Sequence, residues 1–162
     1  METIVKMLIK EHDRARKILR EIEETLHQLN MNPKEPRENF EALVKALSLV
    51  SLLSEFAELT IKHRNIEEYS VYPKFKDLGY VREVIILEKQ HEMIGKLIRE
   101  ITSILNKYRS RKKSIREILS EIIDVYNKVS GTHVKHMEFE EHLFSKIVDH
   151  KIKVKEEHYI VI

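Results

Sequence analysis

In four long stretches of this chain the apolar side chains recur at alternating steps of three and four, and a histidine sits on each of those seams. That spacing gathers the apolar residues on one stripe of an α-helix, which must be buried against other helices. The first seam runs Leu8, His12, Ala15, Leu19, Ile22, Leu26, Leu29, and the second Leu49, Leu53, Phe56, Thr60, His63, Glu67, Val71. The third runs Val84, Leu87, His91, Ile94, Ile98, Ile101, Leu105, Tyr108, and the fourth Ile122, Tyr126, Val129, His133, His136, Glu140, Leu143, Ile147. With only three glycines and three prolines to interrupt them, the expected fold is all-α.

Boundary signals separate the seams. Asn30-Met31-Asn32-Pro33 stops the first helix, and Asn32, Pro33 and Glu35 make a cap from which the second is expected to start, near Pro33. The second helix is expected to end before Pro73, because the residue preceding a proline is pushed out of helical geometry, which leaves Pro73 to Gly79 as a connection. After a solvated basic turn from Arg109 to Lys113, Ser114-x-x-Glu117 reads as a capping box opening the fourth helix, with a local bend expected at Gly131. The halves also echo one another: Glu11-His12 is matched by Gln90-His91, and His63-x-x-x-Glu67-Glu68 by His136-x-x-x-Glu140-Glu141. Two such hairpins with short connections make an up-down-up-down antiparallel four-helix bundle. One domain is expected over residues 1–148. The charged tail 149–162 ends in the apolar Tyr159-Ile160-Val161-Ile162; it carries no structural assignment but offers a surface for a homodimer.

Composition removes several function classes. Lys+Arg 29 against Asp+Glu 27 gives a net charge of +2, with both signs mixed along the chain, so nothing in the charge favours nucleic acid or a membrane surface. No cysteine is present, which excludes disulfides, thiolate metal sites and cysteine nucleophiles, so a metal here would be held by nitrogen and oxygen. The longest apolar stretch, Leu47 to Leu53, falls far short of a membrane span, and the first residues enter an amphipathic helix without a basic-then-apolar leader; a cytoplasmic protein is expected.

The histidines and glutamates suggest a chemistry. Residues four apart stand one above the other on a helix, so His63 with Glu67, and His136 with Glu140, each offer an imidazole and a carboxylate to one interior point. The single histidines His12 and His91 fall at the same level of the bundle, nearer the end that holds the Pro73 to Gly79 connection. Two carboxylates from facing helices can bridge two metals roughly 3.5–4 Å apart while four imidazoles fill terminal positions. The set therefore reads as a non-haem di-iron centre, with manganese or zinc as substitutes. A lone histidine on an apolar seam is usually a hydrogen-bonded core residue, but burying four imidazoles and two carboxylates without a metal would cost on the order of several kcal/mol. Ferritin-like di-iron bundles use Glu-x-x-His instead, with lone glutamates on the other helices.

Taken together, Glu-His on the first helix, His-x-x-x-Glu-Glu leading into Val71-Tyr72-Pro73, Gly79, a single His91, and a second His-x-x-x-Glu-Glu resemble the hemerythrin-like HHE cation-binding domain over about residues 4 to 148. The resemblance implies that His12, His63, His91 and His136 are terminal ligands and that Glu67 and Glu140 bridge. Oxygen-carrying hemerythrins place a second histidine one turn from the first on the third helix, where this chain has Leu87 and Gly95. They also set the last carboxylate five residues after its histidine, a position held here by Glu141. The six-ligand pattern is more similar to the branch associated with redox, nitric-oxide response or iron sensing.

The resulting expectation is a di-iron protein that binds O₂, NO or peroxide, in redox, nitrosative-stress or iron-handling chemistry, with no catalytic residue assigned. The alternatives are a metal- or ligand-dependent sensor or interaction module without turnover, and a purely structural bundle. His133 reads as a fifth imidazole ligand or an outer hydrogen-bond donor. Gly95, one turn beyond His91, reads either as space for an exogenous ligand or as a close helix contact. Glu68, Glu141 and His142 lie off the seam, as solvated residues or outer partners. Tyr126 reads as core, and His27, His150 and His158 as surface.

Overall fold

A computed structural model describes residues 2–31, 39–110 and 115–159, with side chains over 2–31, 39–110 and 117–146. Its elements are α1 (Glu2–Met31), α2 (Phe40–Ile66), a π-helical turn (Glu67–Val71), α3 (Tyr72–Asp77), α4 (Val81–Arg109) and α5 (Ile115–Tyr159). α1 lies along α2, α4 along α5, and α1 against α5, while α2 and α4 meet more sparsely. The chain is an all-α antiparallel four-helix bundle, as its seams require. No described helix is long and apolar enough to cross a membrane.

The apolar stripes bury as their spacing demands, and every residue of the α1 seam is buried. The cap read at Asn32, Pro33 and Glu35 lies outside the described residues. α2 instead opens at Phe40 after an extended Asn39 (φ −146°, ψ 117°), so the helix begins later than expected. Asn39 Oδ1 accepts from the backbone N–H of Glu41 (2.9 Å) and Ala42 (3.3 Å), satisfying two of the donors a helix start leaves unpaired. Ser114 of the expected capping box also lies outside the described residues. α5 runs through Gly131 and on to Tyr159, so the stretch 149–159 continues the fourth helix.

The expectation that helix stops before Pro73 is overturned. The Tyr72 N–H reaches back five residues to Glu67 O, so the ladder has already slipped into a π-turn ahead of the proline. Pro73 then occupies the first turn of α3, where a missing N–H leaves nothing unpaired. Helix continues to Asp77, and the connection shrinks to Leu78–Tyr80. Gly79 sits there at φ +93°, with its N–H on Lys76 O (3.0 Å) and that of Tyr80 on Phe75 O (3.0 Å). This is a Schellman stop, which favours glycine because its central residue is left-handed.

Two apolar clusters fill the bundle. The larger includes Ile22, Leu49, Phe56, Ile94, Ile101 and Ile122; the smaller comprises Val5, Leu8, Val71, Tyr72, Phe75, Val84, Leu87, Leu143 and Phe144. Between them along the helices come the buried polar residues His12, His63, Glu67, His91, His133, His136 and Glu140. The result is a charged layer sandwiched by hydrocarbon, toward the end closed by Gly79.

Candidate metal centre

α1 carries His12 into this layer, α2 His63, α4 His91 and α5 His136, while Glu67 opens the π-turn and Glu140 stands one turn beyond His136. Both carboxylates are fully buried. One nitrogen or oxygen atom from each of His12, His63, Glu67 and Glu140 lies within 4.8 Å of the others, and the same holds for Glu67, His91, His136 and Glu140. The two groups share both glutamates. Glu67 places Oε1 2.8 Å from His63 Nε2 and Oε2 3.1 Å from His91 Nε2, so one oxygen faces each pair of imidazoles. Glu140 puts Oε2 3.3 Å from His12 Nε2 and 3.2 Å from His136 Nε2. Its other oxygen accepts the Tyr72 hydroxyl at 2.5 Å.

The outward nitrogen of each ring faces an oxygen: His12 Nδ1 meets Glu141 (2.9 Å), His63 Nδ1 meets Glu11 (2.8 Å), His91 Nδ1 meets Glu68 (3.0 Å), and His136 Nδ1 meets Gln90 Oε1 (3.0 Å). An acceptor at every Nδ1 favours a ring proton there, which leaves the four Nε2 atoms to face inward toward a cation. The inner atoms then lack donors. Both oxygens of Glu67, Glu140 Oε2 and His136 Nε2 are buried without a hydrogen-bond partner among the described residues, and His12 Nε2 faces His63 Nε2 across 2.9 Å. Converging lone pairs and carboxylates in a dry layer need positive charge to balance them. Divalent cations fit this donor set, with nitrogen and oxygen ligands in two groups joined by two carboxylates.

Without a cation, protons must do part of that work. Burial and the nearby charge of Glu140 push the Glu67 carboxyl above its ordinary range. Burial alone would raise Glu140 too, but the charge of His136 and the closeness of the His12 and His63 rings hold it well below. His63 would lose its proton to burial, yet Glu140 and Glu67 lift it to about 11. His136, dominated by burial, falls to about 4. Burial pushes the Tyr72 phenol upward, with the charges of Glu140 and Glu67 adding to it, so it remains a donor.

The six residues read as ligands are thus brought together, with His133 left outside both groups. His133 is buried with Nδ1 unpartnered, Nε2 3.4 Å from Thr60 Oγ1, and its ring against Phe56 at 5.1 Å between centroids. Burial and the neighbouring His136 lower it to about 3. Tyr126 is core, donating to Leu19 O at 2.6 Å, and His27 and His142 are exposed. The side chains of His150 and His158 lie outside the described residues.

Gly95 lies beside two arginine side chains. A Cβ there would meet the Arg99 guanidinium at 3.6 Å and that of Arg64 at 3.7 Å, both ordinary van der Waals contacts. Arg64 itself pairs with Glu68, four residues on, with Nε 2.8 Å from Oε1.

Several functional side chains escaped the sequence reading. Glu11 and Gln90 hold imidazoles of neighbouring helices, and their signal was the repeated polar residue before His12 and His91. Glu68 and Glu141, read as solvated residues or outer partners, do face the outer nitrogens of His91 and His12. Tyr72 stood in the quoted corner motif without a role, and Arg16, 2.8 Å from Glu141, gave no pattern to notice.

Comparison with family models matches residues 3–148 to the hemerythrin HHE cation-binding domain. Searches of curated proteins and of solved structures return no match. With nearly its whole length matched, the chain belongs to the hemerythrin HHE cation-binding family.

Proposed function

We propose that this protein holds two non-haem iron ions and binds a small oxidant or diatomic molecule, O₂, NO or peroxide, in redox, nitrosative-stress or iron-handling chemistry. The observation that carries this reading is the sharing of Glu67 and Glu140 by two four-residue donor groups. His12 and His63 would hold one ion, His91 and His136 the other, and the two glutamates both. When bound, such a pair would supply Lewis acidity and electrons.

The chain's own contribution is preorganisation. Glu141, Glu11, Glu68 and Gln90 fix each imidazole's tautomer and aim, and Tyr72 fixes one oxygen of Glu140 so that the other faces inward. Phe56, Ile94 and Val129 on one side and Leu8, Val71, Leu87 and Leu143 on the other exclude water, which strengthens every charge interaction inside.

Metal analysis after anaerobic loading with Fe(II) is expected to give about two irons per chain, lost in a His63→Ala variant that remains helical. Stopped-flow spectra of the reduced protein should then change with O₂, NO or H₂O₂. A loaded protein indifferent to all three counts against the ligand chemistry, and one that takes up no transition metal ends the proposal.

A second reading, a metal-state sensor without turnover, draws on the exposed Phe40, Val44 and Leu47 at the start of α2, an apolar row at helical spacing. Stable adducts that never decay to product, with metal-dependent amide exchange along that row, would favour it.

A further inference from the structure

The outer ring of hydrogen bonds follows the internal repeat with one break. Glu141, from α5, takes His12 Nδ1 and also accepts Arg16 Nη2 at 2.8 Å; Glu68, from the π-turn, takes His91 Nδ1 and also accepts Arg64 Nε at 2.8 Å. These two arms are equivalent, each a histidine, a glutamate and an arginine. The other two arms occupy equivalent places too, because Glu11 and Gln90 each precede a histidine and each reach the neighbouring helix, to His63 and His136. Here the chemistry differs. The oxygen behind His63 belongs to a carboxylate at 2.8 Å, and the oxygen behind His136 belongs to a neutral amide at 3.0 Å.

A carboxylate pulls the Nδ1 proton harder than an amide carbonyl does, and a hydrogen bond to a charged acceptor is roughly twice as strong. Electron density moves to the far nitrogen, so His63 Nε2 becomes the better donor to a cation. The extra negative charge also favours a dication nearby. The two imidazoles sit in different groups, His63 with His12 and His136 with His91, so the asymmetry falls between the two candidate metal positions instead of cancelling within one.

We propose that Glu11 and Gln90 are positioning residues that make the two metal positions unequal, with Glu11 strengthening the His12/His63 position and Gln90 leaving the His91/His136 position weaker and exchangeable. The inference rests on the two-metal reading above. It predicts that the protein fills in order, and that under metal limitation it keeps one ion at the Glu11-backed position while releasing the other. Changes of this kind in an outer partner alter metal affinity by about 10–100-fold.

Anaerobic titration of the metal-free protein with Co(II), followed by its visible absorption, reads the two affinities separately. Two dications sharing carboxylates repel, so unequal steps in the parent protein decide nothing; the direction of change in each variant decides. Glu11→Gln is expected to weaken the tight step by about 10–100-fold and leave the weak step in place. Gln90→Glu is expected to strengthen the weak step by a similar factor and leave the tight one. The double exchange Glu11→Gln/Gln90→Glu should restore the parent separation by swapping the positions. A role confined to structure would move both steps together, and that outcome, or unchanged steps in both single variants, overturns the proposal. If Glu11→Gln fails to fold, Gln90→Glu alone still decides. No uptake of cobalt by the parent protein would instead overturn the two-metal reading itself.

Discussion

At the scale of single residues the layer is held by groups whose worth lies in what they leave unpaired when removed. Among the described residues the Tyr72 hydroxyl is the one donor to Oε1 of the fully buried Glu140. Tyr72→Phe keeps the ring in the smaller apolar cluster and removes that donor together with the hydroxyl's 3.4 Å contact to His91 Nε2, so it is expected to destabilise the metal-free protein by about 1–3 kcal/mol in denaturant unfolding. An unchanged midpoint would mean that Glu140 finds another partner at no cost. His63, lifted to about 11, holds a proton at neutral pH in the metal-free protein, and a cation at Nε2 has to displace it. Loading near pH 7 should therefore release protons, seen as a binding heat that varies with the ionisation enthalpy of the buffer. The six inner side chains were legible because alternating steps of three and four assign residues to one face whatever the partner helix is. Glu11, Gln90, Arg16 and Arg64 were not, because which neighbour they touch depends on how adjacent helices are rotated, and one chain's spacing carries no such information.

At the scale of elements, the informative failures are at helix ends. Pro73 reads locally as a stop, and the reading fails because a π-turn upstream absorbs the missing hydrogen bond; nothing in Glu67-Glu68-Tyr69-Ser70-Val71 announces a five-residue return. The start of α2 was placed at Asn32–Pro33 by a motif whose residues lie outside the described ones, whereas Asn39, just before Phe40, makes the observed cap. Asn39→Ala is expected to cost about 1 kcal/mol, measured by thermal or denaturant unfolding. Gly131 behaves in the opposite sense. It is exposed within α5, a Cβ there would meet nothing within 4 Å, and its φ is not left-handed, so Gly131→Ala should stabilise by roughly 1 kcal/mol. A loss of stability instead would reveal a role for backbone freedom in the middle of the longest helix.

At the scale of the whole molecule, the bundle was the most legible feature, since four long seams with few breaks admit little else, and the level of the charged layer followed from counting back from the turns. The layer makes stability depend on pH in a stated direction. Burial holds His133 near 3 and His136 near 4, against an ordinary 6.5, so below about 6.5 the unfolded chain takes up protons that the folded one refuses. The metal-free protein should lose about 1.4 kcal/mol per pH unit for each ring as pH falls from 6.5 toward 4. His63 works in the other sense: its contribution is complete below 6.5 and fades as pH rises toward 11. Thermal melts across this range should peak near neutrality, and bound metal should raise the midpoint throughout the range where it stays bound.

The sandwich of one charged stratum between two hydrocarbon blocks also bears on how the molecule would fail. On the two-metal reading, a protein stripped of metal would keep its larger block intact but lose the mortar beneath the smaller one, so the end containing Phe75 and Phe144 should exchange its amides well before the region around Ile22 and Ile122. A starved copy would thus show proteases a loosened tip that a filled copy conceals, and its lifetime would track the supply of metal.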